Sequence, residues 1–276
     1  MSVLPLVDEF IVALDKGDAS DTTEQEILSI GSDKIKIPYR VWDEQLYKNS
    51  QIFRHETNFA LSKCTGDWCF YIQADEVIHE DDYEEIQLAC QRHLNNKKVE
   101  GLLFNYRHFW GDYLHYLPFH GWYRNEIRII RNHIGVESIK DAQSFRIGNR
   151  KLKVAKINAH IFHYGWVRPP DRMGKKKKEH DNIHQGSTVN SLETPSDIFN
   201  YGNLSAIPLY TETHPAIMQE RISSFFWTDQ LTYNTFLNTR KKLKHEKVGN
   251  KIISWFENRI LNGRQLFGYK NWKTIK

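Results

Sequence analysis

Carboxylates follow two short apolar runs of the chain, and this placement is the feature that most directly suggests chemistry. Asp15 follows the run of residues 10–14, and Asp75 and Glu76 follow the run of residues 68–73. Such runs are typical of buried parallel strands, and ligands of open parallel sheets bind beyond the carboxyl ends of the strands. A carboxylate there can contact a nucleotide, or hold a divalent cation that binds a diphosphate. Either acid alone can also cap a following helix, but two at one edge of a sheet favour a functional site.

The elements that position these acids alternate between strands and helices. Apolar runs predict strands at residues 10–14, 35–37, 68–73, 101–110, 127–131 and 157–164. Capping residues and helical spacing predict helices that begin at Ser20 or Asp21, span 50–64, run from Asp81 and Asp82 to 94, open at Pro170, and span 215–244 and 252–261. This alternation predicts an α/β fold with an open, mainly parallel sheet that is flanked by helices.

The second half of the chain is less regular than the first. We therefore divide the chain into a catalytic core at residues 1–168 and a mainly helical, basic C-terminal extension at 169–276, packed on the core. The polar segment 187–205 is predicted to be loop. The run Lys175–Lys178 falls in a predicted helix, where four adjacent lysines spread around the axis. A solvated face, or a surface near phosphate or membrane, explains this run better than nucleic acid, which we do not expect as a partner.

Charge is distributed unevenly along the 276 residues, although the formal net charge is only +4. Eleven lysines and arginines lie between Arg240 and Lys276, against Glu246 and Glu257. This basic, aromatic tail is expected either at an anionic membrane surface or as the solvated face of terminal helices. The sequence has three cysteines, no signal-peptide pattern and no apolar run of about 20 residues. We therefore expect a cytoplasmic protein, with peripheral contact at the inner membrane face as the open alternative.

Three motifs in order resemble the N-terminal half of the family 2 glycosyltransferases. They are Phe10-Ile-Val-Ala-Leu-Asp15, Ser20-Asp-Thr-Thr23 and Gly66-Asp-Trp68 followed by Gln73-Ala-Asp-Glu76. Residues 126–131, 141–146, 163–170 and 213–218 and the tail around Tyr269–Trp272 are similar to a bacterial branch of that family. The resemblance implies the GT-A fold and an inverting transfer from a nucleoside diphosphate sugar. It also implies that the first acid contacts the nucleotide and that the later acidic motif binds a metal ion.

Two departures from the family pattern affect these expectations. The family motif carries acids two residues apart, whereas its first position here is Gln73, which brings no charge to a cation. Family members also begin with a strand and a helix, about 25 residues in all, that would precede Val7. We therefore expect this fold to lack its first strand and helix.

Residue roles on the donor side follow from the strand ends and the resemblance. Asp15, Asp18 and Asp75 are assigned to the donor nucleotide, and Asp75 with His163 to a divalent cation, Mn²⁺ or Mg²⁺. Glu76 is expected either to orient Asp75 or to cap the next helix. A structural role remains the alternative for His163.

On the acceptor side, an inverting transfer needs a general base near the acceptor hydroxyl. Asp141 is the first choice because it follows a strand and precedes an expected helix start, where it could otherwise serve as an N-cap, and Glu137 is the competitor. Trp110, His120, Trp122 and Tyr123 are expected to line the side that receives a glycan or lipid-linked acceptor, with core packing as the alternative.

Two other functional classes compete with the glycosyltransferase. A metal-dependent nucleotidyltransferase also uses acids at strand ends, but it would bring a glycine-rich phosphate loop that this sequence does not contain. A catalytically degenerate sugar-binding or scaffolding relative would account for Gln73 and for the absent first strand. Turnover with a nucleotide sugar distinguishes these classes.

Overall fold

The structure is a computed structural model that describes residues 1–15, 17, 21–185, 198–233, 242–266, 268 and 270–275. Its strands are β1 Phe10–Ile11, β2 Leu14–Asp15, β3 Ile35–Lys36, β4 Tyr39–Arg40, β5 Trp68–Phe70, β6 Glu76–Ile78, β7 Gly101–Trp110, β8 Asn125–Arg131, β9 Val136–Ile139, β10 Ser144–Ile147, β11 Arg150–Trp166 and β12 Trp272–Thr274. Its helices are α1 Thr23–Ser29, α2 Gln51–Lys63, α3 Tyr83–Leu94, α4 Pro170–Gln185, α5 Gln219–Ser223 and α6 Val248–Arg259. Short 3₁₀ turns lie between several of them.

One eight-stranded sheet forms the centre of the molecule, in the order β5-β8-β7-β11-β10-β9, with β6 and β12 also paired to β11. The central pair β7 and β11 is parallel, and so is β12 with β11. The pairs β5–β8, β7–β8, β6–β11, β9–β10 and β10–β11 are antiparallel. Two small parallel pairs, β1–β3 and β2–β4, lie in the N-terminal segment. The α/β prediction is therefore confirmed, but the main sheet is mixed.

Two of the antiparallel pairs, β9–β10 and β10–β11, have a local cause in the connections of the chain. Residues 140–143 join β9 to β10, and Gly148 and Asn149 join β10 to β11. Connections this short can join only antiparallel neighbours, because a parallel return needs a crossover of a dozen or more residues. Gly148 has a φ of +54°, a left-handed conformation that glycine adopts without strain.

The core lies on both faces of the central sheet. Strand β7 and the second half of β11, residues 159–166, read as nearly continuous buried runs, as expected for strands that are covered on both faces. On one face, Ile86 and Ala89 of α3 pack with Leu102 and Phe104 of β7. Full burial of each such large side chain stabilises the fold by about 1.5–3 kcal/mol.

Most of the predicted helices are confirmed, but the helix predicted at residues 215–244 is wrong for the part that is described. Helix α5 ends at Ser223, and residues 224–233 form turns. Trp227 explains the difference, because it is buried in an aromatic cluster and its Nε1 donates to Gly111 O at 2.9 Å. Tertiary packing of this indole therefore turns the chain inward. The predicted loop 187–205 lies largely outside the described residues.

Residues of the predicted C-terminal extension pack against residues of the predicted core. Met173, Tyr201 and Leu204 form one apolar cluster with Trp110 and Leu117. The division of the chain at residue 168 stays a prediction. Within the described ranges, every helix is too short or too polar to cross a bilayer.

Candidate active site

A cleft of about 1870 Å³ opens beside the carboxyl end of β5. Its walls include residues 6–13 of the N-terminal segment, residues 67–76 around β5, and parts of α3 and α4. Asp75, His163 and Tyr123 line it together. A cleft of this size can hold a ligand as large as a nucleotide sugar. A second, smaller pocket of about 280 Å³ lies between α2 and β9, away from these side chains.

Two strand edges border this cleft. In the β1–β3 pair, the N–H groups of Phe10 and Val12 donate to the carbonyl oxygens of Lys34 and Lys36. Because main-chain groups alternate along a strand, the N–H groups of Ile11 and Ala13 point away from β3. On the opposite wall, Tyr71 N donates to Arg128 O, and alternation turns the neighbouring main-chain groups of β5 away from β8. Residues 9–13 and 67–73 both line the cleft. The cleft therefore offers main-chain donors and acceptors as well as side chains to a ligand.

Asp75 is the carboxylate at the inner end of the cleft, in the turn between β5 and β6. Lys176 Nζ donates to its Oδ2 at 2.9 Å, and His163 Nε2 lies 3.7 Å from its Oδ1. Burial works to raise the pKa of Asp75, but Lys176, which donates to its Oδ2, and Arg168 act in the opposite direction, and its pKa lies below the usual value. Asp75 is therefore ionised at neutral pH.

Gly165 allows this carboxylate and His163 to approach each other. A Cβ at position 165 would lie 2.5 Å from Asp75 Oδ2 and 2.7 Å from His163 Nε2. Because real Cβ atoms do not come that close, any other residue there would displace one of the two side chains. The glycine of the His163-Tyr-Gly-Trp segment thus serves the site sterically.

The proton on His163 is fixed by a neighbour, His108 of β7. His108 Nε2 lies 2.8 Å from Tyr123 O, and a carbonyl only accepts, so Nε2 carries the proton. Burial lowers the pKa of His108 to about 3, so its ring is neutral and its Nδ1 is an acceptor. His163 Nδ1, at 3.1 Å, must therefore donate to it. This tautomer follows from the hydrogen-bond network.

His163 consequently presents a bare nitrogen lone pair to the cleft. Burial also lowers its own pKa, so the ring is neutral and its single proton is on Nδ1. The Nε2 lone pair and the Asp75 carboxylate converge without a proton between them. This is the arrangement of a metal-binding histidine whose second nitrogen is held by an outer hydrogen bond.

The donor set suits a divalent cation that takes most of its ligands from a substrate. Asp75 and His163 would hold the ion, and no third His, Cys, Asp or Glu joins them among the described residues. Mg²⁺ and Mn²⁺ usually keep several ligand positions for waters and phosphates. Lys176 and Arg168 line the same end of the cleft, which is therefore rich in positive charge.

Glu76, next to Asp75, has a structural role. It begins β6, so it does not cap α3, and its carboxylate is buried. Arg128 donates to both of its oxygens, Nε at 3.0 Å and Nη2 at 2.8 Å, and Tyr106 OH donates to Oε1 at 2.8 Å. Gln73 donates its main-chain N–H to Glu76 Oε2 and its amide to Tyr71 OH. Both motif neighbours of Asp75 are thus occupied with protein partners.

The structure separates the two candidates for the general base. Asp141 lies in the exposed hairpin turn between β9 and β10 and lines the cleft. The helix expected after it, and with it the N-cap alternative, are wrong, because Ser144 begins a strand. Glu137 of β9 lines the smaller pocket. Asp141 is therefore the candidate that shares the cleft with Asp75.

The first acid is placed differently from Asp75. Asp15 ends β2, and its Oδ1 accepts from Trp42 N at 3.1 Å. Trp42 and residues 11–13 line the cleft, whereas Asp15 is not part of its lining. Its carboxylate ties the loop that presents Trp42. Asp18 lies outside the described residues.

The aromatic residues expected at the acceptor side occupy two environments. Trp110 is buried in the core, with its Nε1 donating to Tyr201 O at 3.0 Å, and Trp122 packs beside it. His120 Nδ1 lies 2.9 Å from a carboxylate oxygen of Glu257 in α6. Of the four, Tyr123 lines the cleft. Core packing, the alternative for these residues, describes Trp110.

His108, Lys176 and Gly165 are site residues that sequence reasoning missed. His108 faces His163 because the parallel register of β7 and β11 pairs them directly. That register is a long-range property without a local pattern. Lys176 is one of four adjacent lysines, and the rotation of α4 about its axis decides which of them reaches Asp75.

A scan against models of protein families finds no match, and neither does a search of curated proteins. The function must therefore be argued from the side chains of the cleft.

Proposed function

We propose that this chain is an inverting glycosyltransferase that moves a sugar from a nucleoside diphosphate sugar to an acceptor hydroxyl. The observation that carries the proposal is the Asp75–His163 pair at the cationic end of a large cleft. A carboxylate and a bare imidazole nitrogen beside Lys176 suit a diphosphate and its metal ion. We further propose that the mixed sheet and its helices belong to a GT-A type fold.

The leaving diphosphate gains negative charge as the bond from sugar to oxygen breaks. Asp75 and His163 would hold a Mn²⁺ or Mg²⁺ ion, which when bound would supply positive charge to offset it. Lys176 and Arg168 act in the same direction, because both line this end of the cleft. Lys176 pairs with Asp75 in the structure, and a phosphate oxygen would be an equally suitable partner for its ammonium group.

The acceptor hydroxyl must lose a proton as it attacks the sugar. Asp141 is the proposed base, because it lines the cleft and lies in an exposed turn that an acceptor can approach. Tyr123, which lines the cleft, is the proposed aromatic contact of the acceptor, a glycan or a lipid-linked sugar.

A sugar-nucleotide-binding protein without catalytic activity is the second candidate. Arg128 binds both oxygens of Glu76, and Gln73 brings no charge, so of this motif only Asp75, itself paired with Lys176, offers a carboxylate to a ligand. That composition favours binding over turnover, and the two functions are separable by experiment.

The test is release of nucleoside diphosphate from UDP-, GDP- and dTDP-sugars with Mn²⁺, in the presence of a panel of sugar acceptors. We expect one donor to be consumed, and turnover to be lost in Asp141→Asn while that donor still binds. Donor binding without turnover under all conditions would favour the second candidate. Full turnover in both Asp75→Asn and Asp141→Asn would overturn the proposal.

A further inference from the structure

Helix α6 exposes a row of large apolar side chains to solvent. The exposed fractions are 64% for Val248, 63% for Ile252, 60% for Trp255, 41% for Phe256 and 58% for Ile260, which follows the helix. The first four recur at spacings of four, seven and eight residues, so they lie on one face of the helix. Single exposed apolar residues are normal on a protein surface, but a continuous row marks an interaction site.

The opposite face of α6 is anchored to the rest of the protein. Ser254 and Glu257 are fully buried there. Glu257 binds His120 Nδ1 at 2.9 Å and Arg124 Nη2 at 3.2 Å, and Ser254 Oγ accepts from His120 N at 2.7 Å. These bonds fix the rotation of the helix, so the apolar row is held outward.

The surroundings of the apolar row are cationic. Within residues 244–259, which contain α6 and the turn before it, the exposed basic residues are Lys244, Lys247, Lys251 and Arg259. The acids described in that segment are Glu246, which is half-buried and accepts from Leu243 N, and the buried Glu257. The exposed face of α6 therefore combines apolar and basic residues with no exposed acid.

We propose that this face of α6 docks on an anionic phospholipid bilayer. A helix with Trp and aliphatic residues on one face, flanked by lysines, suits the boundary between headgroups and acyl chains. Basic residues are attracted to an anionic surface, and Trp favours the interface between headgroups and acyl chains. An apolar protein partner would have no need of the basic rim. This inference does not depend on the proposed function.

Docking in this way would bring the cleft close to the membrane. Helix α6 binds the loop at residues 118–124, and Tyr123 of that loop lines the cleft. The bilayer would then lie on the other side of α6, about 10 Å or one helix diameter from the loop that was expected to contact the acceptor.

The test is co-sedimentation of the full chain with vesicles of phosphatidylcholine alone and of phosphatidylcholine with phosphatidylglycerol. We expect binding that requires phosphatidylglycerol and weakens in high salt. The double variant Ile252→Glu/Trp255→Glu should bind roughly tenfold more weakly or worse, because it removes two large apolar groups from the row. Leu88→Glu is the matched control, since Leu88 is an exposed apolar residue on α3, 45% accessible, outside the segment.

Lys247→Gln/Lys251→Gln tests the electrostatic part with the apolar row intact. It should lower binding to anionic vesicles severalfold, and melting temperatures equal to that of the parent chain would verify folding of every variant. Equal binding of the parent and the Ile252→Glu/Trp255→Glu variant would overturn the proposal. So would equal binding to neutral vesicles, or lipid-free dimers in sedimentation velocity that this variant abolishes.

Discussion

Asp75 and Glu76 are consecutive carboxylates in one turn, yet they lie in opposite environments. Glu76 points into the core, where Arg128 binds both of its oxygens and Tyr106 binds one of them. Asp75 points into the cleft, where Lys176 binds one oxygen and the other faces a bare nitrogen of His163. One carboxylate is fully satisfied by protein, and the other keeps capacity for a ligand.

The role of each carboxylate is therefore decided by the groups that it contacts, and not by its membership of an acidic motif. A buried, fully paired carboxylate contributes to the fold and costs stability when one partner is removed. A carboxylate at a cleft with an unsatisfied neighbour is a candidate for chemistry. Successive residues face opposite ways as β6 begins, which separates the two carboxylates.

The largest expected effects come from neutralising each carboxylate in turn. Glu76→Gln leaves the Arg128 guanidinium buried without its charge partner, so the free energy of unfolding should fall by about 3–5 kcal/mol. Asp75→Asn should change stability by less than about 1 kcal/mol, because Asp75 is only partly buried and its partner Lys176 can reach water. It should instead lower turnover about a thousandfold.

Urea unfolding and initial rates on the two variants measure this pair of effects. Equal losses of stability in both variants would contradict the assignment of a structural role to Glu76 alone. A fully active Asp75→Asn protein would remove Asp75 from the site.

A third carboxylate, Glu126 of β8, lies in an environment unlike those of Glu76 and Asp75, because it is buried without a charge partner. Neither oxygen has a hydrogen-bond partner among the described residues, although the Ser144 hydroxyl lies close by. Burial raises its pKa to about 7. Between the ordinary value and 7 the folded chain holds a proton that the unfolded chain releases, so this stability is lost as pH rises through 7.

Glu126→Gln is therefore expected to be more stable than the parent chain at pH 8, by at most about 3 kcal/mol, and equal to it at pH 4.5. Urea unfolding at the two pH values measures the difference. A variant with the same relative stability at both would show that Glu126 is ionised in the folded chain.

The histidine pair provides a smaller test, on the metal side of the cleft. His108→Asn should free His163 from its fixed tautomer and weaken Mn²⁺ binding in the presence of nucleoside diphosphate roughly 10- to 100-fold. His160→Asn is the matched control, because His160 lies on the same strand and pairs with Asp82 instead. Titration followed by electron paramagnetic resonance measures both. Equal Mn²⁺ affinity in the two variants would contradict the tautomer assignment.

The smallest expected effect concerns the lysine at Asp75. Lys176→Gln should strengthen Mn²⁺ binding without nucleotide a few-fold, since a partly exposed ion pair contributes about 0.2–1 kcal/mol. It should also weaken nucleoside diphosphate binding. Lys175→Gln is the control, because Lys175 lies on the same helix, is exposed and is not part of the cleft lining. Weaker Mn²⁺ binding in Lys176→Gln would show that the lysine supports the metal site.

The sequence predicted the elements whose patterns are local. Strand 101–110 matches β7, and the helix predicted at 50–64 matches α2, because apolar spacing and breakers lie within each segment. The position of Asp75 directly after a strand was predicted from the apolar run before it, which is also a local pattern. The structure places Asp75 3.7 Å from His163, and the assignment of both to one metal ion stays a prediction.

The rest depended on contacts between distant segments. The partner of Glu76 is Arg128, and that of His163 is His108, each set by the pairing of strands. The strand after Asp141 and the inward turn at Trp227 were missed because hairpin pairing and indole burial overrode local helix signals. Local pattern cannot supply register or side-chain rotation, so the supporting residues of the site stayed hidden.

The most direct measurement is the thermal shift of the parent chain, Asp75→Asn and Asp141→Asn with UDP, GDP and dTDP, each with and without Mn²⁺. We expect one nucleotide to raise the melting temperature of the parent chain, and only with Mn²⁺. The Asp75→Asn variant should lose this rise, and the Asp141→Asn variant should keep it. A rise that is independent of Mn²⁺, or that persists in Asp75→Asn, would contradict the assignment of Asp75 to the metal and the donor diphosphate.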